Sequence, residues 1–189
     1  MKLTKLYIDQ DTYEEFTETF KSKVTILLGS NGAGKTTLLK AIEHELKRDY
    51  CVVNKTVDRD IMKNTPYSLQ LDGGHIARSF TSEGEKMSYM TSLIISELGY
   101  RVRRQDKDVI FCLDELDSGL TYDNIIANTD FIKNTLMKET KIKKMFITAN
   151  SYELASQFIG VADFYWIESK EFIKFSSYEE FIKLYERRD

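Results

Sequence analysis

The stretch Gly29-Ser-Asn-Gly-Ala-Gly-Lys35-Thr36 limits what this chain can become more than any other. It fits G-x-x-x-x-G-K-[ST] in full, with an apolar, β-branched run (23–29) before it and an amphipathic pattern after it. Strand, glycine-rich turn and helix in that order build a phosphate cradle. The glycines let backbone N–H groups turn inward, and the helix adds its positive N-terminal end. Gly29, Ser30, Asn31, Gly32, Ala33, Gly34, Lys35, Thr36 and Thr37 are therefore expected to surround the phosphates of a nucleotide. Lys35 would reach the β- and γ-phosphates, and the Thr36 hydroxyl would sit on Mg²⁺. Thr37 is placed to touch the α-phosphate.

Such a loop needs a sheet behind it, and the remaining pattern supplies one. Residues 2–8 and 13–20 alternate as two strands, an antiparallel pair ahead of the core. Leu38, Leu39, Ile42 and Leu46 form a helical stripe, and CVVNK is a short strand. Residues 54–80 read as polar and irregular. Met87, Met90, Ile94 and Leu98 recur at helical spacing, and Gly99 is placed to end that helix. The runs 108–115 and KKMFITAN are buried strands, with a helix on Ile125, Thr129, Ile132 and Leu136 between them. FYWIES and EFIKFS suggest a terminal hairpin, and a Ser177–Glu180 capping box opens a closing helix. Strands alternating with helices predict an α/β fold with a mostly parallel central sheet. No repeat or Gly/Ser/Pro-rich linker divides the 189 residues, so one domain spanning 1–189 is expected.

Composition excludes several classes. The N-terminus is too polar for a secretory leader, and no apolar run is long enough to span a bilayer. The expectation is a cytoplasmic protein without direct membrane insertion. Cys51 and Cys112, with no CxxC and no nearby His pair, read as reduced thiols. A net charge of −3 does not suit a chain built to coat nucleic acid, although a local basic patch stays open.

Three further motifs carry a family resemblance. VIFCLDE ends in Asp114 and Glu115 after an apolar run. TSEGEKMSYM carries Ser82, Gly84, Glu85 and Lys86, and DELDSGL follows the two acids. Together with the loop they resemble the ABC-type ATPases, whose signature reads approximately L-S-G-G-Q or L-S-G-G-E-K. Thr81 and Glu83 depart from that pattern. The resemblance runs from the loop to about residue 151 and implies the P-loop NTPase fold of ABC-ATPase type, with ATP and Mg²⁺ bound. It implies that Asp114 holds Mg²⁺ with Thr36, that Glu115 polarises the attacking water, and that Lys35 serves catalysis as well as binding. It also implies a head-to-tail homodimer in which Ser82, Gly84 and Glu85 cap the partner's ATP and Asp117 crosses the interface. Read from the residues alone, S-x-x-E at 82–85 is equally an ordinary helix cap. Gln70 is either a glutamine sensing Mg²⁺ and water or a surface residue.

Asn150, in Thr148-Ala149-Asn150-Ser151, occupies the place of the family's switch histidine. An amide can donate to a γ-phosphate but carries no proton or charge, so slow hydrolysis and a long-lived dimer are expected. His44 and His75 are read as surface residues. The short interval between Lys35 and Ser82 leaves room for only a small helical insertion, as in a minimal ATPase head. The S-x-G-E-K and DELDSGL forms lean toward the SMC/RecF-like and OLD-like branch. That lean implies a nucleic-acid-related or defence complex with an additional protein subunit. The energy subunit of a transporter and a slowly turning clamp are the alternatives. The basic cluster 100–108 is either solvated or a contact for nucleic acid. Tyr13 and Phe16 are either core residues or the adenine-stacking aromatic. The aromatic tail is either a partner surface or the last strands and a packed helix.

Overall fold

The computed structural model describes residues 1–7, 13–56, 68–71, 74–77, 102 and 106–186. In chain order the strands are β1 (Lys2–Tyr7), β2 (Tyr13–Thr19), β3 (Val24–Leu28), β4 (Cys51–Thr56), β5 (Ser68–Leu71), β6 (Gly74–Ala77), β7 (Val109–Asp114), β8 (Ile142–Thr148), β9 (Asp163–Trp166) and β10 (Glu171–Ile173). The helices are α1 (Lys35–Leu46), α2 (Tyr122–Asn134), α3 (Tyr152–Ser156) and α4 (Tyr178–Glu186), with a 3₁₀ turn at Leu136–Lys138.

β3, β4, β7, β8 and β9 run parallel and β10 closes one edge antiparallel, in the order β10-β9-β3-β8-β7-β4. The apolar runs in the sequence are continuous rather than alternating because both faces of this sheet are covered. Val24, Ile26 and Leu28 of β3, Phe111 of β7 and Ile147 of β8 face one core, shared with Ile125 and Ile132 of α2 and Phe181 of α4. Leu27, Ile110, Cys112 and Phe146 face the other, with Leu38, Leu39 and Ile42 of α1. Each such buried side chain contributes roughly 1.5–3 kcal/mol. Helix propensity spans only about 0–0.7 kcal/mol per ordinary residue, so docking on the sheet holds α1 in place.

β1 and β2 form the expected antiparallel pair, and Leu3 and Phe20 pack over the α1 side. The stretch 54–80 is not irregular throughout: β5 and β6 pair antiparallel with Leu71 opposite Gly74. Asp72-Gly73, which stands between them in the sequence, is a strong hairpin signal that the reading of 54–80 as irregular passed over. The helix expected at 85–98 lies outside the described residues. The helix after β7 stops at Asn134, and Leu136 packs from the 3₁₀ turn instead. The terminal hairpin is β9–β10. Phe164, Tyr165, Trp166, Phe175 and Phe181 are buried, while Phe172 and Tyr178 are exposed, so most of the aromatic tail is core. At α4 the Ser177 hydroxyl accepts from the Glu180 N–H at 3.3 Å, while the Glu180 carboxylate reaches back to the Ser176 N–H at 2.7 Å. Cys51 and Cys112 are free thiols, and burial pushes the Cys112 thiol up. His44 is exposed, as expected.

Candidate functional site: a polar cavity at the carboxyl ends of the parallel strands

In parallel α/β sheets, ligands gather where the strands' carboxyl ends meet helix N-termini. β3 delivers Gly29 to that edge, β7 delivers Asp114 and Glu115, and β8 delivers Thr148 and the residues after it. A cavity of about 350 Å³ opens there, lined by Asn31, Gly32, Gly34, Lys35, Thr36, Thr37, Asp114, Glu115 and Asn150. Three stretches picked from separate parts of the sequence thus share one wall.

α1 begins at Lys35 after Gly34, whose φ of 97° lies in the left-handed region that favours glycine. No side chain caps this N-terminus. Its uncapped N–H groups and helix dipole face the cavity, as an anion site requires. Lys35 is nearly buried, and its Nζ donates to the carbonyls of Gly29 at 2.6 Å and Ser30 at 2.9 Å. Burial holds its ammonium below the usual lysine range, against the pull of Glu168, Asp114, Asp117 and Glu115. Incoming phosphates would act in the same direction as those acids and favour the charged form.

Asp114 is buried and doubly satisfied. Thr36 Oγ1 donates to one oxygen at 2.7 Å and Thr148 Oγ1 to the other at 2.8 Å. Thr148 Oγ1 also accepts from the Glu115 N–H at 2.8 Å. Glu115 has φ 54°, a left-handed conformation that costs a non-glycine residue about 1–2 kcal/mol. That turn sets its side chain on the cavity wall. Thr36 and Asp114 offer hard oxygen donors a hydrogen bond apart, which suits Mg²⁺ bound by one or two side chains together with phosphate oxygens. Among the described residues no cluster of three His, Cys, Asp or Glu could hold a metal alone.

Asp117 binds the turn after β7 to the stretch after β8. It is buried, and one oxygen accepts from the N–H groups of Asn150 (2.9 Å) and Ser151 (2.8 Å) and the Ser151 hydroxyl (2.6 Å). That oxygen is thereby tied to the end of β8 within its own chain. Gln70 lies in β5, opposite His75. Ser82, Gly84 and Glu85, with most of the basic cluster 100–108, lie outside the described residues. Two site features escaped the sequence reading. Thr148 was visible only as the start of the switch stretch. Glu168, whose carboxylate meets the loop at Ser30, stands after an unremarkable apolar run.

The sequence profile of the ABC transporter family matches residues 17–129, more than half of the chain. The chain belongs to that family. It is an ABC-type ATPase, ATP-binding and of the P-loop NTPase fold, and the mostly parallel sheet preceded by antiparallel strands is the architecture expected of one. No curated protein matches the sequence. Among solved structures, a protein assigned as a cobalt transport ATP-binding protein (CbiO-2) is similar at 17% identity and TM-score 0.50, covering 90% of this chain and 76% of that one. At that identity the likeness concerns the fold. AMPPCP-bound DnaA from Aquifex aeolicus matches at 21% identity and TM-score 0.45, over 79% of this chain and 41% of its own. Among the described residues of this ABC ATPase, no helix is long and apolar enough to cross a membrane.

Proposed function

We propose that residues 1–189 form one cytoplasmic ABC-type ATPase domain that binds Mg-ATP in this cavity and hydrolyses it slowly between two head-to-tail copies. The observation that carries the reading is the 2.7 Å contact between the Thr36 hydroxyl and Asp114, with Glu115 beside it on the cavity wall. Loop residues and an acidic strand end far apart in sequence meet as a nucleotide hydrolase needs.

In this reading the loop amides and the Lys35 ammonium take the phosphates. Thr36 and Asp114 would hold Mg²⁺, with Gln70 as a further candidate ligand. When bound, Mg²⁺ supplies positive charge toward the phosphates. Glu115 accepts a hydrogen bond from water and aims its oxygen at the γ-phosphorus. The water oxygen bonds to the γ-phosphorus as the bond from the bridging oxygen to the γ-phosphorus breaks. The water's proton passes to the Glu115 carboxylate and from there to the released phosphate or solvent, leaving ADP and inorganic phosphate. The Asn150 amide donates to the γ-phosphate without moving a proton, which supports slow turnover. Ser82 and Gly84 of the partner copy, followed by Glu85, complete each site.

An additional protein subunit receives the work of opening and closing. The S-x-G-E-K and DELDSGL forms favour the SMC/RecF-like and OLD-like side, hence a nucleic-acid-related or defence complex. The family match and the likeness to a cobalt transport ATP-binding protein favour a transporter's energy subunit instead. Phosphate release from Mg-ATP, measured with and without duplex DNA and after EDTA, tests the reading. Release abolished by EDTA and by Lys35→Ala is expected. Release insensitive to both defeats the proposed site. Stimulation by DNA selects the first kind of partner, and co-purification with a membrane protein selects the second.

A further inference from the structure

β9 runs beside β3 in register from Thr25–Asp163 to Leu28–Trp166, and the Ile167 N–H extends the ladder to the Leu28 carbonyl at 2.9 Å. The next residue, Glu168, is thereby delivered to the start of the phosphate loop. Its carboxylate accepts from the Ser30 backbone N–H at 2.8 Å and from the Ser30 hydroxyl. A Cβ on Gly29 would stand 2.5 Å from Glu168 Oε2, so only glycine lets the carboxylate in so closely. The φ of +149° at Gly29 makes the same demand independently.

Lys35 holds the same two loop residues from the other side, through the Gly29 and Ser30 carbonyls. Their acceptors are tied to the lysine and the Ser30 donors to the glutamate. When phosphates arrive, the Lys35 ammonium has one donor to spare for them, and each further bond it gives to phosphate is taken from a loop carbonyl. The brace from Glu168 then remains. Neither Glu168 nor Ser30 lines the cavity, so the carboxylate supports the loop from outside the phosphates' space.

We propose that Glu168 is a positioning residue for the nucleotide, holding Gly29–Ser30 in the phosphate-binding conformation as Lys35 turns donors from them to the phosphates. This rests on the nucleotide-binding reading above. The competing role is plain repulsion, since an acid beside a phosphate site disfavours a polyanion. The two roles predict opposite signs.

The test is titration of the full chain with Mg-ATP, comparing wild type, Glu168→Ala, Glu168→Gln and Ser30→Ala. If wild type does not bind, the nucleotide reading fails, which is a separate result from failure of the brace. Given wild-type binding, Glu168→Ala is expected to weaken it roughly fivefold to tenfold, the scale of an ordinary hydrogen bond, since solvent at this exposed site weakens the charged pair. Glu168→Gln restores most of the loss, because its amide oxygen can accept the same two bonds. Losses in Glu168→Ala and Ser30→Ala overlap rather than add in the double variant. In steady state the change falls on KM more than on kcat. Tighter binding by Glu168→Ala and Glu168→Gln identifies repulsion and overturns the proposal. Unchanged binding, or Gln no better than Ala, overturns it as well. Should Glu168→Ala not fold, Ser30→Ala carries the test alone: about threefold weaker binding supports the brace, and wild-type affinity removes it.

Discussion

At the residue scale, the arrangement of the acids depends on one hydroxyl. Thr148 is fully buried, and its Oγ1 donates to Asp114 while accepting from the Glu115 N–H. A hydroxyl can do both, and no apolar isostere can do either. Thr148→Val keeps the shape, yet leaves a partly buried N–H without its partner, at a cost of about 1–3 kcal/mol. The strained turn at Glu115 loses the bond that fixes it, so the carboxylate should wander from the cavity wall. The expected outcome is a lowered melting temperature and turnover reduced at least tenfold, with Mg-ATP affinity nearly kept. Phosphate release at saturating nucleotide checks this. Wild-type turnover in a folded Thr148→Val would show that Glu115 needs no such anchor.

At the element scale, the turn after β7 is bound to the end of β8 through Asp117. Three donors converge on one of its oxygens, and α3 starts there, with the Leu154 N–H donating to Ser151 Oγ at 3.3 Å. Asp117→Ala removes the acceptor and strands the amides of Asn150 and Ser151. We expect a loss of at least about 2 kcal/mol. Hydrogen exchange should accelerate over 149–155 and change little in β3 and α1. Uniform protection across both regions would mean that the clamp is dispensable. The clamp also marks where the sequence stopped being legible. Strands β3, β7 and β8 and helix α1 stood out because two-sided burial and helical packing leave continuous or periodic apolar patterns. Lys35, Thr36, Asp114 and Glu115 stood out because phosphate chemistry fixes residue type and spacing locally. Thr148, Asp117 and Glu168 act through partners that only strand order brings near: Glu168 meets Ser30 because β9 lies beside β3, and no spacing along the chain encodes that neighbour. The β5–β6 hairpin was signalled by Asp72-Gly73 and by the alternation of Ser68-Leu69-Gln70-Leu71, but strands of four residues are too short for that alternation to stand out from polar surroundings.

At the scale of the whole molecule, the cavity wall just described comes from one copy of the chain: loop, acids and Asn150. The resemblance assigns the opposite wall to Ser82 and Gly84 of a second copy. Two copies related head to tail would then enclose two nucleotides. Each triphosphate would join the α1 N-terminus of one copy to the signature serine of the other. Association of this kind is linked to nucleotide by mass action: ligand held only by the closed dimer shifts the equilibrium toward it. Hydrolysis removes the ligand, so the dimer accumulates when water activation is blocked but ATP binding is kept. Glu115→Gln meets that condition, since the amide preserves volume and loses the charge that aims the water. In saturating Mg-ATP this variant should sediment as a dimer, and in Mg-ADP as a monomer. Adding Ser82→Arg to Glu115→Gln should return it to monomer while leaving nucleotide binding to each copy intact, because in the proposed sandwich Ser82 would serve only the partner's site. A Glu115→Gln chain that stays monomeric at saturating Mg-ATP, by analytical ultracentrifugation, would rule out the sandwich. A dimer insensitive to Ser82→Arg would place the second copy on some surface other than the signature.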